Sequence, residues 1–217
     1  MIVAIDGPAG TGKSTIARMV AESMGFTYVN SGSIYRAMTL RVLRTRIDAD
    51  DAEAVIACSR QASIEYRNGS LFLDGADAEQ ELRTAPVDAV VAQLSAIPAL
   101  RAIVNELVRR IAGSTDAVVE GRDMTTVVFP DADAKFYLDA SPDARARRRF
   151  DQGASDASLD DIRRNIEMRD AIDKSKSVGA LKIAPDAEYL DSSHLTIRQV
   201  YDKIYGKILH LREHHGR

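Results

Sequence analysis

Gly7-Pro8-Ala9-Gly10-Thr11-Gly12-Lys13-Ser14 decides the reading of this 217-residue chain. The spacing is G-x-x-x-x-G-K-[ST], that of a phosphate-binding loop, and the surroundings fit it. Ile2-Val3-Ala4-Ile5 reads as a short buried strand and Ser14 onward as a helix. The glycines let the backbone curl so that successive N–H groups converge on phosphate oxygens. The following helix adds the positive end of its dipole. Lys13 would reach the β- and γ-phosphates, and the Ser14 hydroxyl would ligate Mg²⁺. The loop residues Gly7, Pro8, Ala9, Gly10, Thr11, Gly12, Lys13, Ser14 and Thr15 are therefore expected to hold a nucleoside triphosphate.

The flanking sequence builds a fold around that loop. Ile16, Met19, Val20 and Met24 recur at helical spacing and Gly25 closes the helix; residues 26–29 then read as a second strand. Strand, helix, strand implies a parallel sheet with a crossover helix. Asn30-Ser31-Gly32-Ser33-Ile34-Tyr35-Arg36 leaves the carboxyl end of that strand, where open α/β sheets bind ligands. Ser33 is expected to cap the helix built on Ile34, Ala37, Met38 and Val42. Alternation in residues 63–67 and 70–74, on either side of Asn68-Gly69, predicts a β-hairpin. Antiparallel strands are foreign to a parallel sheet, so an inserted subdomain is expected at about residues 37–91.

Helices resume at Pro86, break at Pro98 and end at Gly113. Residues 117–120 form a core strand that runs into Gly121-Arg122-Asp123, and residues 135–139 form another. Ser141 and Pro142 are the N-cap and first residue of a helix bearing Arg145, Arg147, Arg148 and Arg149. Residues 152–158 read as a hinge or flexible loop, and Ser158 opens a helix carrying Ile162, Ile166 and Arg169. Residues 188–190 are a last strand, and an amphipathic helix with Ile197, Val200, Ile204, Ile208 and Leu211 ends the fold. The expectation is a single domain over residues 1–217: an α/β P-loop three-layer fold, its central parallel sheet flanked by helices. To this are added the inserted antiparallel subdomain and a helical lid at about residues 151–179.

Composition narrows the partners. A net charge of −3 argues against a general nucleic-acid binder. Cys58 is the sole cysteine, so neither a disulfide framework nor a cysteine zinc site is expected. The four histidines, His194, His210, His214 and His215, have no clustered acid or cysteine beside them. No apolar run approaches the roughly 18 residues of a membrane span, and the N-terminus does not read as a leader. A soluble, cytoplasmic protein is expected.

A kinase must hold an acceptor beside the γ-phosphate. A hydroxyl acceptor benefits from a carboxylate base, whereas a phosphate acceptor is already a nucleophile and needs cations to offset repulsion. Arg36, Arg101, Arg122, Arg145, Arg148 and Arg169 supply such cations, and arginine suits two-pronged grips on phosphate. Arg36 and Arg122 each follow a core strand and a glycine, so each should project over the sheet edge that carries the loop. The balance favours a phosphate acceptor.

These residues, with others, resemble the bacterial-type cytidylate kinases. The likeness runs through residues 7–15, Ser31 to Arg36, and Gly121-Arg122-Asp123-Met124 into Thr126-Val127-Val128-Phe129-Pro130-Asp131. It continues at Leu138-Asp139-Ala140-Ser141, Arg145-Ala146, Arg148-Arg149, Arg169-Asp170 and Asp173. The resemblance implies transfer of the ATP γ-phosphate to CMP or dCMP, with Mg²⁺, by a monomer that binds no nucleic acid and no membrane. It implies that Lys13, Arg122 and Arg36 are catalytic and that Arg148 joins the loop in binding ATP. Ser31, Tyr35, Arg36, Arg101, Arg122, Asp123, Arg169 and Asp173 would bind the acceptor, and Ser14 the metal. The chain departs from the family pattern at Asn30, Ala92, Thr125, Lys176 and Ala180; Ala92 stands where a base-contacting serine is usual, with Ser95 nearly one turn later. The alternatives are a kinase of another small acceptor, UMP or a shikimate-type hydroxyl compound, and a nucleotide-dependent binding module.

Overall fold

Apolar residues at consecutive positions, as in Val3-Ala4-Ile5 and Val118-Val119, suit strands covered on both faces. The computed structural model describes residues 1–67, 70–113, 115–153 and 158–215, the side chains of residues 214 and 215 excepted. Its elements are β1 (Ile2–Asp6), α1 (Lys13–Met24), β2 (Thr27–Asn30), α2 (Ser31–Arg44), α3 (Ala52–Arg60), β3 (Ile64–Arg67), β4 (Ser70–Leu73) and β5 (Ala76–Asp77). There follow α4 (Ala85–Leu94), α5 (Pro98–Ala112), β6 (Ala117–Gly121), β7 (Ala134–Asp139), α6 (Pro142–Asp151), α7 (Leu159–Ser175), β8 (Glu188–Asp191) and α8 (Ile197–His215). The chain divides into two compact units, one of residues 1–29 with 112–217, the other of residues 30–111. The second unit is wider than the insertion read from the sequence.

In the first unit the sheet runs β2-β6-β1-β7-β8, and β1–β6, β1–β7 and β7–β8 are parallel. β1 is thus the central strand, and the loop that leaves it sits at the middle of the sheet's carboxyl edge. Val3 and Ile5, with Val118, Phe136 and Leu138, pack with Ile16 and Val20 of α1 and with Val200, Ile204 and Ile208 of α8. Each such side chain contributes about 1.5–3 kcal/mol when fully buried. A smaller cluster of Ala146, Ile162 and Ile166, backed by Leu159, joins α6 to α7. Gly25 closes α1 in the left-handed conformation, and Ser141 Oγ accepts from Ala144 N–H ahead of Pro142. Both follow the local signals. Gln152 and Gly153 form a turn after α6, and Ser158 caps α7; the expected hinge falls largely on residues 154–157, outside the described residues.

In the second unit β3, β4 and β5 form an antiparallel sheet with Ile64 opposite Leu73 and Tyr66 opposite Leu71. The Asn68-Gly69 turn expected between the first two lies outside the described residues. β5 went unforeseen because a strand of two residues has no alternation to read. Pro98 does more than break a helix: it begins α5. The cap of α2 is Asn30, whose Oδ1 accepts from Ser33 N–H at 3.0 Å, and not Ser33 as the sequence suggested. The helix starts two residues before Ser33, which places Ser33 in its first turn.

Loss of this cap should cost about 1 kcal/mol. Asn30→Ala is expected to lower the melting temperature by about 2–4 °C, a range typical of this chain length. Asn30→Asp, which keeps the acceptor, should stay near the parent protein in the same calorimetric scan.

Candidate active site

The loop between β1 and α1 owes its path to three glycines with positive φ: Gly7 at 149°, Gly10 at 83° and Gly12 at 94°. At Gly7 there is a second constraint, because a Cβ there would lie 2.0 Å from the Leu138 carbonyl oxygen of β7. Only glycine lets the chain leave the central strand so close to its neighbour. Past it, the loop carbonyls are turned onto protein donors. Pro8 O accepts from Lys13 Nζ at 2.7 Å and Thr11 Oγ at 3.1 Å. Ala9 O accepts from Arg145 Nη1 at 3.2 Å, and Thr11 O from Arg148 Nη1 at 3.3 Å. Such engagement of the carbonyls is compatible with a loop whose amides serve an anion.

The helices behind the loop fix those donors. Arg145 is buried; it also donates to Ala140 O and forms a two-pronged pair with Asp170 of α7, at 3.0 and 2.6 Å. Arg148 reaches Ser192 past β8, whose hydroxyl in turn bonds Asp139 O. Lys13 is only 5% exposed. Burial, followed by the Arg122 guanidinium, pushes its ammonium down to about 7, against Glu120, Asp6 and Asp173. A bound polyphosphate would favour the charged form. Ser14 and Thr15 are exposed in the first turn of α1.

Beyond β6 the chain turns through Arg122 and Asp123 into a π-helical turn, Met124–Val128. Arg122 Nε donates to Asp173 Oδ2 at 2.8 Å, and Lys176 Nζ to Asp173 Oδ1 at 2.9 Å. Burial alone would raise the Asp173 carboxyl, but the two cations outweigh it and hold it at about 2. Asp123 is buried, and Arg169 lies half-buried on α7. Arg169 and Asp173 share a helix face, as their spacing implied, yet the Asp173 carboxylate is taken up by Arg122 and Lys176. Asp6, buried at the end of β1, accepts from Met124 and Thr125. Sequence reading assigned no contact to Asp6, Thr125, Asp170 or Ser192, whose partners are distant in the chain.

The second unit holds the remaining expected residues. Ser31 and Tyr35 are buried in the first turns of α2. Arg36 donates to Leu82 O at 2.8 Å and to Asp88 Oδ1 at 2.6 Å. Arg101 of α5, also buried, donates to Ser95 O at 3.1 Å, and its guanidinium carbon stands 5.6 Å from the Tyr35 ring centroid. That range is attractive for a cation over an aromatic face. The Ser95 hydroxyl itself is spent on Ala92 O at 2.9 Å. The structure therefore brings Tyr35 to Arg101 in one unit, and the loop, Arg148, Arg122 and Asp173 together in the other.

The family model described as cytidylate kinase matches residues 3–210. The chain belongs to the cytidylate kinase family. Among its curated relatives, the cytidylate kinase of Mycobacterium leprae is 43% identical, covering 92% of each chain. That of Limosilactobacillus fermentum is 41% identical over 95% of this chain and 94% of its own. That of Caldanaerobacter subterraneus subsp. tengcongensis is 38% identical, over 95% and 93%. A shikimate kinase structure from Bacteroides thetaiotaomicron, 12% identical with a TM-score of 0.51 over 98% of each chain, shares the fold of this cytidylate kinase relative. Among the described residues no single helix is long and apolar enough to cross a membrane.

The Asp173 carboxyl binds its proton more weakly folded than unfolded, 3.8 falling to about 2. Its stabilising contribution is therefore complete above pH 3.8 and lost as pH falls through about 2. Urea unfolding of the parent and Asp173→Asn should show a gap in midpoint above that window that narrows on acidification.

Proposed function

We infer that the protein is a cytidylate kinase that moves the γ-phosphate of ATP to CMP or dCMP, giving CDP or dCDP. The observation that carries this reading is the family match over residues 3–210, which takes in the loop and Gly121-Arg122-Asp123 alike. A hydroxyl-phosphorylating kinase would need a base for its acceptor, whereas the phosphate of CMP is already an anion. What such a reaction needs is alignment and charge stabilisation.

Under this reading the loop residues 7–15 and Arg148 bind ATP, and Lys13, Arg122 and Arg36 stabilise the charge on the phosphates. Ser31, Arg36 and Arg122 take the acceptor phosphate; Arg101 and Asp123 face the cytosine, as an acid accepts from its N4 amino group. Tyr35 lies under Arg101 and keeps that guanidinium oriented. Arg169 and Asp173 take the ribose hydroxyls. The pairing of Arg122 with Asp173 and of Arg36 with Asp88 supports the assignment of both arginines to anions. Ser14, exposed in the first turn of α1, would hold Mg²⁺, which neutralises the β- and γ-phosphate oxygens when bound. Mg²⁺ dehydrates reluctantly and needs few protein ligands, so a single hydroxyl would suit it. Residues 151–179 act as a lid that excludes water during transfer. The working form is a cytoplasmic monomer.

Coupled ADP release with CMP, dCMP, UMP, AMP and shikimate offered separately tests the reading. CMP and dCMP should stimulate turnover, and stimulation by shikimate instead would overturn it. Arg122→Ala should lower turnover at saturating CMP by about 100-fold or more, with ATP affinity nearly intact. A single monomeric peak in size-exclusion chromatography is expected alongside.

A further inference from the structure

Asp6 is the last residue of β1, directly before Gly7, and is fully buried. Its two oxygens take three hydrogen bonds, all from the stretch after β6. Met124 N–H donates to Oδ1 at 2.9 Å; Thr125 N–H at 2.7 Å and Thr125 Oγ at 2.6 Å both donate to Oδ2. Thr125 is itself 1% exposed. Any residue but proline at position 125 supplies the amide, but the third bond needs a hydroxyl. A buried carboxylate that loses a donor is costly, so the carboxylate and the turn it holds would shift to recover one.

We propose that Thr125 is a positioning residue for phosphoryl transfer, its hydroxyl locking the Asp6 carboxylate and through it the placement of Arg122 relative to the loop that carries Lys13. Three features make the linkage tight. Asp6 is one residue from Gly7, whose backbone is pressed against Leu138, so a shift of Asp6 is carried into the loop. Thr125 is three residues from Arg122, and the turn that starts directly after Arg122 is closed around Thr125 by bonds from Val127 and Val128 N–H to Asp123 O, at 2.9 and 3.1 Å. Finally, Asp6 interacts electrostatically with Asp123 and with Lys13, both within the proposed site. A π-helical turn anchored at its first two residues by a single buried acid has no slack of its own, and such turns recur at functional sites.

The inference rests on Lys13 serving the donor phosphates and Arg122 the acceptor; Arg122→Ala tests that assignment and a different pair of variants tests this one. Thr125→Val keeps the shape and removes the hydroxyl, while Thr125→Ser restores it. kcat and the KM values for ATP and CMP are measured below the melting temperature of each variant, with calorimetry alongside. Thr125→Val should lose about 10- to 100-fold in kcat, the scale of a sub-ångström to 1 Å misplacement, with both KM values within about three-fold. Thr125→Ser should keep kcat within about three-fold of the parent. Thr125→Val turning over at the parent rate, even if less stable, overturns the proposal, and so does Thr125→Ser as slow as Thr125→Val.

Discussion

The close approach of two backbones governs this structure. The chain leaves the central strand at Gly7 so near to β7 that the Leu138 carbonyl occupies the place of a side chain. From that point the loop has little freedom: three positive φ values, a lysine folded back onto Pro8 O, and two arginines from α6 on the carbonyls of Ala9 and Thr11. Those arginines are in turn fixed by Asp170 on α7 and by Ser192 beyond β8. The loop thus inherits its shape from the sheet edge on one side and from two helices on the other. The protein's own contacts thus set the loop's shape, the kind of preorganisation on which electrostatic binding sites rely.

Charge is the second theme. Lys13 and Arg122 lie in one unit with like charges close enough to depress the lysine, and burial depresses it further. The protein meets this with carboxylates: Asp173 serves Arg122 and Lys176, and Asp170 serves Arg145. In the second unit Asp88 does the same for Arg36. Replacement of Arg145 would leave Asp170 without its two-pronged partner, so that buried arginine matters to the fold.

What the sequence disclosed was local. The loop with its strand and helix, Gly25 after α1, Ser141 with Pro142, and the alternation of β3 and β4 all depend on residues a few positions apart. The structure follows each of them. What stayed hidden depends on distant partners. Asp6 read only as the end of a strand, since Thr125 lies 119 residues away. Arg145 was visible as a cation, but nothing near it announced Asp170. The cap of α2 went to Asn30 rather than Ser33 because two neighbouring residues could each play that part, and only the actual start of the helix decides. For the site, the cations stood out by type and by position after core strands; Asp173 was read as a site residue but beside Arg169 rather than Arg122, and Asp88 and Asp170 were not read as partners at all.

The Arg122–Asp173 pair has one more consequence. A carboxylate tethered within its own fold acts on Arg122 as a ligand at high effective concentration. An anion that approaches the Nε edge of Arg122 competes with that carboxylate, so its observed affinity there would be the difference between two associations. A bare anion brings little beyond its charge and competes poorly. A phosphate attached to a base and a sugar brings further contacts that help it win. Under the proposed function, the acid would thereby act as a filter, weighing against small anions and leaving the site to a whole nucleotide.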